Sequence, residues 1–307
     1  KRQVQNHLHM VHILQEYPSY GLLQHYSLQI HKIRGLVHLI LKLGVNHFFI
    51  IDNGSTDGTF EHLRAEDDVT LFQNVDSFSE AAYGVFWVNY LMRRYGVGHW
   101  CFHVDMDEAF VFPRMEQGAQ LSDLIAFLFA YGFESVPSLM LDIYPKHLGI
   151  PKNGDRFSSS IYIDCDYFSM PCELPPYHFI QGGLRSRISG RSLMMTKSPL
   201  IKMSADTAYL VNNHQHTHMR VADISAALLH YKFVGDLMGR VDEAIDREEH
   251  FMGARFYKSL RDPLFSSDAS DGFVSDYSLI YEGPSQLCSL ELIHTSANWN
   301  NFKLNKS

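Results

Sequence analysis

The sequence predicts an α/β fold: a mixed, mainly parallel sheet flanked by helices and followed by a C-terminal helical extension. Three observations carry that expectation. Apolar runs of strand length alternate with segments of helical spacing in βαβαβ order over residues 45–105, and this order demands crossovers and a parallel sheet. Phe48-Phe49-Ile50-Ile51 and Trp100-Cys101-Phe102 are continuous apolar runs, as short buried strands require. Residues 235–261 return to helical spacing with charged faces.

Taken in order, Leu8 to Leu14 reads as the first strand, with Gln15-Glu16-Tyr17-Pro18 as the loop after it. Leu22, Leu23, Tyr26, Ile30, Ile33, Val37, Ile40 and Leu41 recur at helical spacing, so residues 22–43 are expected as a helix. Gly35 interrupts it and Gly44 stands in the C-cap position. Strand 45–51, helix 59–65, strand 69–73, helix 79–95 and strand 100–105 follow. Between the first two, Asp52-Asn53-Gly54-Ser55-Thr56-Asp57-Gly58 is turn chemistry, and Thr56 or Asp57 can cap the helix from Thr59. Helix 122–131 has Ser122 as its cap and Gly132 as its stop, and strand 138–144 comes next. Residues 150–220 are rich in Ser, Gly and Pro, with short β-like pieces at 160–163 and 208–211. Beyond Asp262 the text is polar and carries no periodic signal. The expected division is a main domain over 1–234 and an extension over 235–307 packed on it.

Composition narrows the function. Lys and Arg number 26 against 34 Asp and Glu, a formal charge of −8, which disfavours a nucleic-acid binder working through a basic surface. The hydrophobic share of 46% provides for a substantial core. No apolar stretch reaches the roughly 18–20 residues that span a bilayer. Cys101, Cys165, Cys172 and Cys288 form neither a zinc-type pattern nor a dense disulfide framework. A reducing, cytoplasmic setting is therefore expected, and a Cys165–Cys172 bridge stays open as an alternative.

Two motifs carry chemistry. Trp100-Cys101-Phe102-His103-Val104-Asp105-Met106-Asp107-Glu108 ends an apolar run in two aspartates one residue apart. On an extended chain such residues point the same way, so Asp105 and Asp107 would offer hard oxygens to one Mg²⁺ or Mn²⁺. Phe48 to Thr59 is a strand–loop–helix unit whose loop falls at the carboxyl end of the strand, where open α/β sheets bind ligands.

Together these segments resemble glycosyltransferase family 2, with its GT-A fold. Leu43-Gly44-Val45, Asp52 to Thr59, Trp100 to Glu108, Leu139-Met140-Leu141-Asp142-Ile143-Tyr144-Pro145, Gly182-Gly183-Leu184-Arg185-Ser186-Arg187, Lys197-Ser198-Pro199-Leu200 and Leu229-His230-Tyr231-Lys232-Phe233 carry the resemblance, over about residues 36–260. It implies inverting, metal-dependent transfer of a sugar from a nucleoside diphosphate sugar to a hydroxyl on a glycan or lipid-linked saccharide. Peripheral contact with the inner face of a membrane is compatible with such an acceptor. It also implies Asp105 and Asp107 at the metal, Asp107 binding it directly and Asp105 reaching the ribose or a metal-bound water, and Asp52 and Asn53 at the nucleoside. Glu16 stands where the family usually has an Asn-Glu pair, here Gln15-Glu16.

A late histidine often completes the metal site in this fold, and His214 is favoured, with His216 and His230 as competitors. Asn213-His214-Gln215-His216-Thr217-His218, if extended, would instead place three imidazoles on one face, as a zinc site would need. Arg185, Arg187, Arg191 and Lys197 form the dense basic cluster, and Arg185 and Lys197 are expected to face the diphosphate. Glu108 either binds a metal-bound water or holds a nearby cation. Asp142, an acid among core residues, is the candidate base for the acceptor hydroxyl, with Asp206 and Asp236 as alternatives. Two other readings remain: a nucleotidyl or phosphoryl transferase using the same metal, and a catalytically inactive nucleotide-sugar-binding module.

Overall fold

A computed structural model describes residues 8–15, 45–55, 58–105, 107–146, 160–233, 237–247, 255–261 and 273–304. The expected helix over 22–43, Glu16, the caps Thr56 and Asp57, and Asp236 lie outside these residues.

The architecture is mixed α/β. Strand β1 (Leu8–Gln15) pairs in parallel with β2 (His47–Asn53), which leads through helix α1 (Thr59–Leu63) to the parallel β3 (Val69–Gln73). Helix α2 (Val85–Leu91), continued by a π turn over Met92–Gly96, then carries the chain to β4 (Trp100–Phe102), parallel to β1 on its other side. Strand β5 (Glu108–Val111) and helix α3 (Leu121–Tyr131) follow. Gln120 with Asp123, rather than Ser122, forms the reciprocal cap of α3, because the helix begins one residue earlier than its pattern suggests.

Next come β6 (Ser135–Asp142), the short β7 (Tyr144–Pro145), β8 (Ser160–Asp164), and a hairpin of β9 (Tyr167–Pro171) and β10 (His178–Gly182). Helix α4 (Gly183–Ser189), β11 (Thr196–Lys202) and β12 (Ala226–His230) complete the main sheet, whose order is β3-β2-β1-β4-β11-β6-β12-β5. The β3-β2-β1-β4 half is parallel as expected. In the other half β11 runs antiparallel to both β4 and β6, and β5 antiparallel to β12, while β6 and β12 are parallel. The sheet is therefore mixed. Pro199 is tolerated within the internal strand β11 because the register shifts between Lys197 and Leu200, as at a bulge.

Helix α5 (Leu237–Arg247), helix α6 (255–261), β13 (Ser278–Ile280), α7 (Pro284–Ser289) and α8 (Ala297–Asn301) form the C-terminal part. Leu237, Val241 and Leu260 pack with Tyr144, Leu184 and Phe233. The tail is structured where its sequence gives no period: β13 pairs with β8, and Trp299 is fully buried in the main core with Phe112 and Phe127. Its indole N–H donates to the Pro113 carbonyl at 3.1 Å. Among the described residues no helix is long and apolar enough to cross a membrane. All four cysteines are free thiols.

Candidate functional site

The order β2-β1-β4 sets the site. The chain steps from β1 to β2 to β3 on one side and returns to β4 on the other, a topological switch that opens a crevice at the carboxyl ends of the strands. Asp52 is the last residue but one of β2 and the Asp105–Glu108 segment follows β4, two strands away or roughly 10 Å by strand spacing.

Asp105 and Asp107 are not on an extended chain. β4 stops at Phe102, and the Glu108 N–H donates to the Asp105 carbonyl at 3.1 Å, closing a tight turn. The Asp105 N–H donates in return to Glu108 Oε2 at 2.9 Å. The two aspartates therefore diverge, one toward β11 and the other toward β12. Lys197 Nζ lies 2.9 Å from Asp105 Oδ2 and 2.8 and 3.0 Å from the Glu108 oxygens. Burial opposes the Lys197 ammonium, but Asp105 and Glu108 outweigh it and hold it charged, above its ordinary value. Burial likewise opposes the Asp105 carboxylate, yet Lys197 holds its pKa well below the usual range. Glu108 moves the other way, raised by burial and by the charge on Asp105. Lys197 and Glu108 are both fully buried. Lys197 is thus a strut inside the acidic turn, its ammonium held between Asp105 and Glu108.

The second aspartate meets His230. Its Oδ2 lies 3.3 Å from His230 Nε2, while His230 Nδ1 lies 2.9 Å from Asp142 Oδ1. The Tyr231 N–H donates to the Asp107 carbonyl at 2.7 Å and pins the turn to the end of β12. Facing carboxylates on both sides, the imidazole must donate from both nitrogens. Burial disfavours that charged form, but Asp107 outweighs it and the pKa is raised. The other Asp142 oxygen accepts from Arg185 Nε at 2.8 Å. Burial would raise Asp142, whereas Arg185 and His230 hold it below the usual carboxylate range.

Asp142 has no exposed surface, and both its oxygens are engaged. In this arrangement it anchors Arg185 and His230 and does not itself meet an acceptor hydroxyl. Arg185 is nearly as buried, with Nη2 unpaired among the described residues. Tyr167, on the first residue of β9, belongs to the same neighbourhood: burial first and then the Asp142 charge push its phenol well above the ordinary value. Gly183, at φ +71°, makes room for it, since a Cβ there would overlap the Tyr167 ring. The glycine pair thus serves close packing of the chain on itself. Arg187 is drawn off to a separate pair with Asp164 at 3.1 and 3.2 Å, and to the Phe273 carbonyl.

The histidine run is folded into turns, and its members part company. His214 Nδ1 meets the Thr196 carbonyl at 2.5 Å. His216 is buried beside the Thr217 carbonyl, and His218 pairs with Tyr177. Three imidazoles on one face, the zinc alternative, therefore do not form. Burial pushes His214 down to about 4, with Lys197 and Arg185 adding to the effect and the Thr196 carbonyl opposing it. A neutral ring donating Nδ1–H to a backbone carbonyl keeps its lone pair on Nε2, the usual posture of a ligating histidine.

Asp52 is buried at the crevice edge. Its Oδ2 accepts from the Ser55 N–H at 3.2 Å, and its Oδ1 has no partner among the described residues. Asn53 uses its amide to tie the β2 and β3 loops, donating to the Asn74 and Asp76 carbonyls at 2.8 and 3.0 Å. Asp206 lies on an exposed turn with its N–H on Ser204.

Among the described residues no three His, Cys, Asp or Glu side chains converge in a ready metal cluster. The donors at the crevice are nonetheless hard: the Asp105 and Asp107 side chains are 48% and 36% exposed. An ion sharing its shell with phosphate oxygens and water suits such a pair, as Mg²⁺ does. The sequence had offered His230 as a ligand; its bridging role needed the register of two strands. No protein-family model matches the chain, and no curated protein matches it.

Proposed function

We propose that the chain is a metal-dependent glycosyltransferase with a GT-A-like fold. It would move a sugar from a nucleoside diphosphate sugar to a hydroxyl of a glycan or lipid-linked saccharide. The observation that supports this reading is the acidic turn at the carboxyl end of β4, beside the switch point, held by buried Lys197 and His230, with Arg185 behind them on Asp142. A phosphate-bearing donor needs fixed positive charge near its leaving group, and here that charge is prepaired so that the turn keeps one shape.

In this reading Asp52 accepts from the nucleoside, with its unpaired Oδ1 as the acceptor. Asp105 and Asp107 would hold Mn²⁺ or Mg²⁺, with His214 Nε2 as the nitrogen candidate. The ion would supply Lewis-acid neutralisation of the departing diphosphate. Lys197 fixes the Asp105 carboxylate, Glu108 accepts from the Asp105 backbone N–H, and His230 fixes Asp107. Arg185 Nη2 is the remaining donor for an anionic oxygen, and Asp142 orients both Arg185 and His230.

Ligand-dependent melting with a panel of nucleotides tests the proposal. Stabilisation by UDP or GDP that requires Mn²⁺ or Mg²⁺, together with hydrolysis of the matching nucleotide-sugar, is the expected result. Turnover of a nucleoside triphosphate with release of pyrophosphate or phosphate would instead favour a nucleotidyl or phosphoryl transferase. Metal-dependent stabilisation without turnover of any nucleotide-sugar would favour a binding module.

A further inference from the structure

Helix α2 has apolar side chains on both its faces. Val85, Val88 and Leu91 are buried against the sheet, as the core-facing stripe of a surface helix should be. The opposite stripe is ordinarily polar, yet Phe86 and Tyr90, one turn apart, are 62% and 63% exposed. Arg93 and Arg94 on the next turn are exposed, and Val97 just beyond them is 46% exposed. Phe86 and Tyr90, at i and i+4, share one face of α2, and the exposed Arg93 and Arg94 follow on the π turn, so aromatic rings and guanidinium groups make one exposed stripe. No carboxylate interrupts it: residues 85–98 contain no Asp or Glu. In a chain of net charge −8, this stripe is locally positive.

Aromatic rings beside guanidinium groups match the headgroup layer of a membrane. The rings settle at the boundary of water and hydrocarbon, and Arg pairs with lipid phosphate while its stem lies along apolar surface. We propose that the outer stripe of α2 docks the protein peripherally on an anionic bilayer surface. Because α2 is a fixed part of the fold, such docking orients the whole site. The Asn89 side chain exchanges two hydrogen bonds with the Tyr209 backbone, at 2.8 and 2.9 Å. It thereby fastens α2 to the loop that leads on to His214.

The test is co-sedimentation of the full chain with vesicles of phosphatidylcholine alone and of phosphatidylcholine mixed with phosphatidylglycerol. Binding to the mixed vesicles, weakened by added salt, is expected. Arg93→Ala and Arg94→Ala should each reduce it by about 5-fold, and Phe86→Ser with Tyr90→Ser should abolish it at unchanged melting temperature. If that double variant fails to fold, Arg93→Glu with Arg94→Glu decides the matter by the same readout. Absence of binding to mixed vesicles, or binding equal in wild type and variants, overturns the proposal. So does a concentration-dependent dimer that the same substitutions dissolve, which would make the stripe a contact between copies of the chain.

Discussion

Asp142 and His230 stand directly opposite one another in register on the parallel strands β6 and β12, with Asp142 Oδ1 2.9 Å from His230 Nδ1. Neighbouring parallel strands place paired side chains on the same face, so this contact is set by the backbone. It makes the floor of the crevice a chain of charges, Arg185–Asp142–His230–Asp107, whose last member is part-exposed.

Asp142→Asn removes a buried charge from between two cations. The expected outcome is a loss of about 3–5 kcal/mol of stability, measured by urea unfolding, with weaker donor binding alongside. Turnover per folded molecule should then fall only modestly. A drop of about 10²–10⁴ at unchanged stability would instead return Asp142 to the role of base.

Asp107→Ala deletes a part-exposed carboxylate. Metal-dependent stabilisation by nucleotide should disappear while the metal-free melting temperature stays close to wild type. Retention of full Mn²⁺-dependent stabilisation would show that Asp107 is not a ligand. Asp105→Ala should keep part of the metal affinity, since Lys197 and Glu108 remain to shape the turn.

Lys197→Met leaves the buried Glu108 without its cation, at an expected cost of about 3–5 kcal/mol. Adding Glu108→Gln should restore much of that loss, because the orphaned charge goes with it. Equal stability of the single and double variants in urea titration would contradict the strut role.

His214 gives a pH signature. Its folded value is about 4, below the roughly 6.5 of an unfolded chain. Between these values the unfolded state binds a proton that the folded state does not, so stability falls as pH drops from about 6.5 toward 4. His214→Gln, which cannot titrate, should flatten the melting temperature across that window. The same variant should weaken metal affinity by roughly 10- to 100-fold if Nε2 is a ligand.

Trp299→Ala tests the attachment of the tail. The indole is fully buried among Phe112, Phe127 and Phe302, and its removal should cost about 3–5 kcal/mol in a single unfolding transition. A separate, earlier transition for the tail would mean that the C-terminal part does not share the main core.

The local signals in the sequence were strong where one element determines its own form. Continuous apolar runs gave β2 and β4, helical spacing with Gly132 gave α3, and the acidic pair after Trp100-Cys101-Phe102 located the crevice. These depend only on side-chain period and turn chemistry, which are written in consecutive residues. What lay beyond reach were relations between distant residues. Whether β11 enters the sheet antiparallel, whether Lys197 faces a ligand or Glu108, and which of His214, His216 and His230 meets Asp107 are fixed by strand register and burial. Trp299 joined the core through one large side chain in a polar stretch with no period to betray it. A charged residue reads the same in sequence whether solvated or buried; only packing decides which partner neutralises it, because the cost of burying a lone charge forces a match that no local pattern encodes.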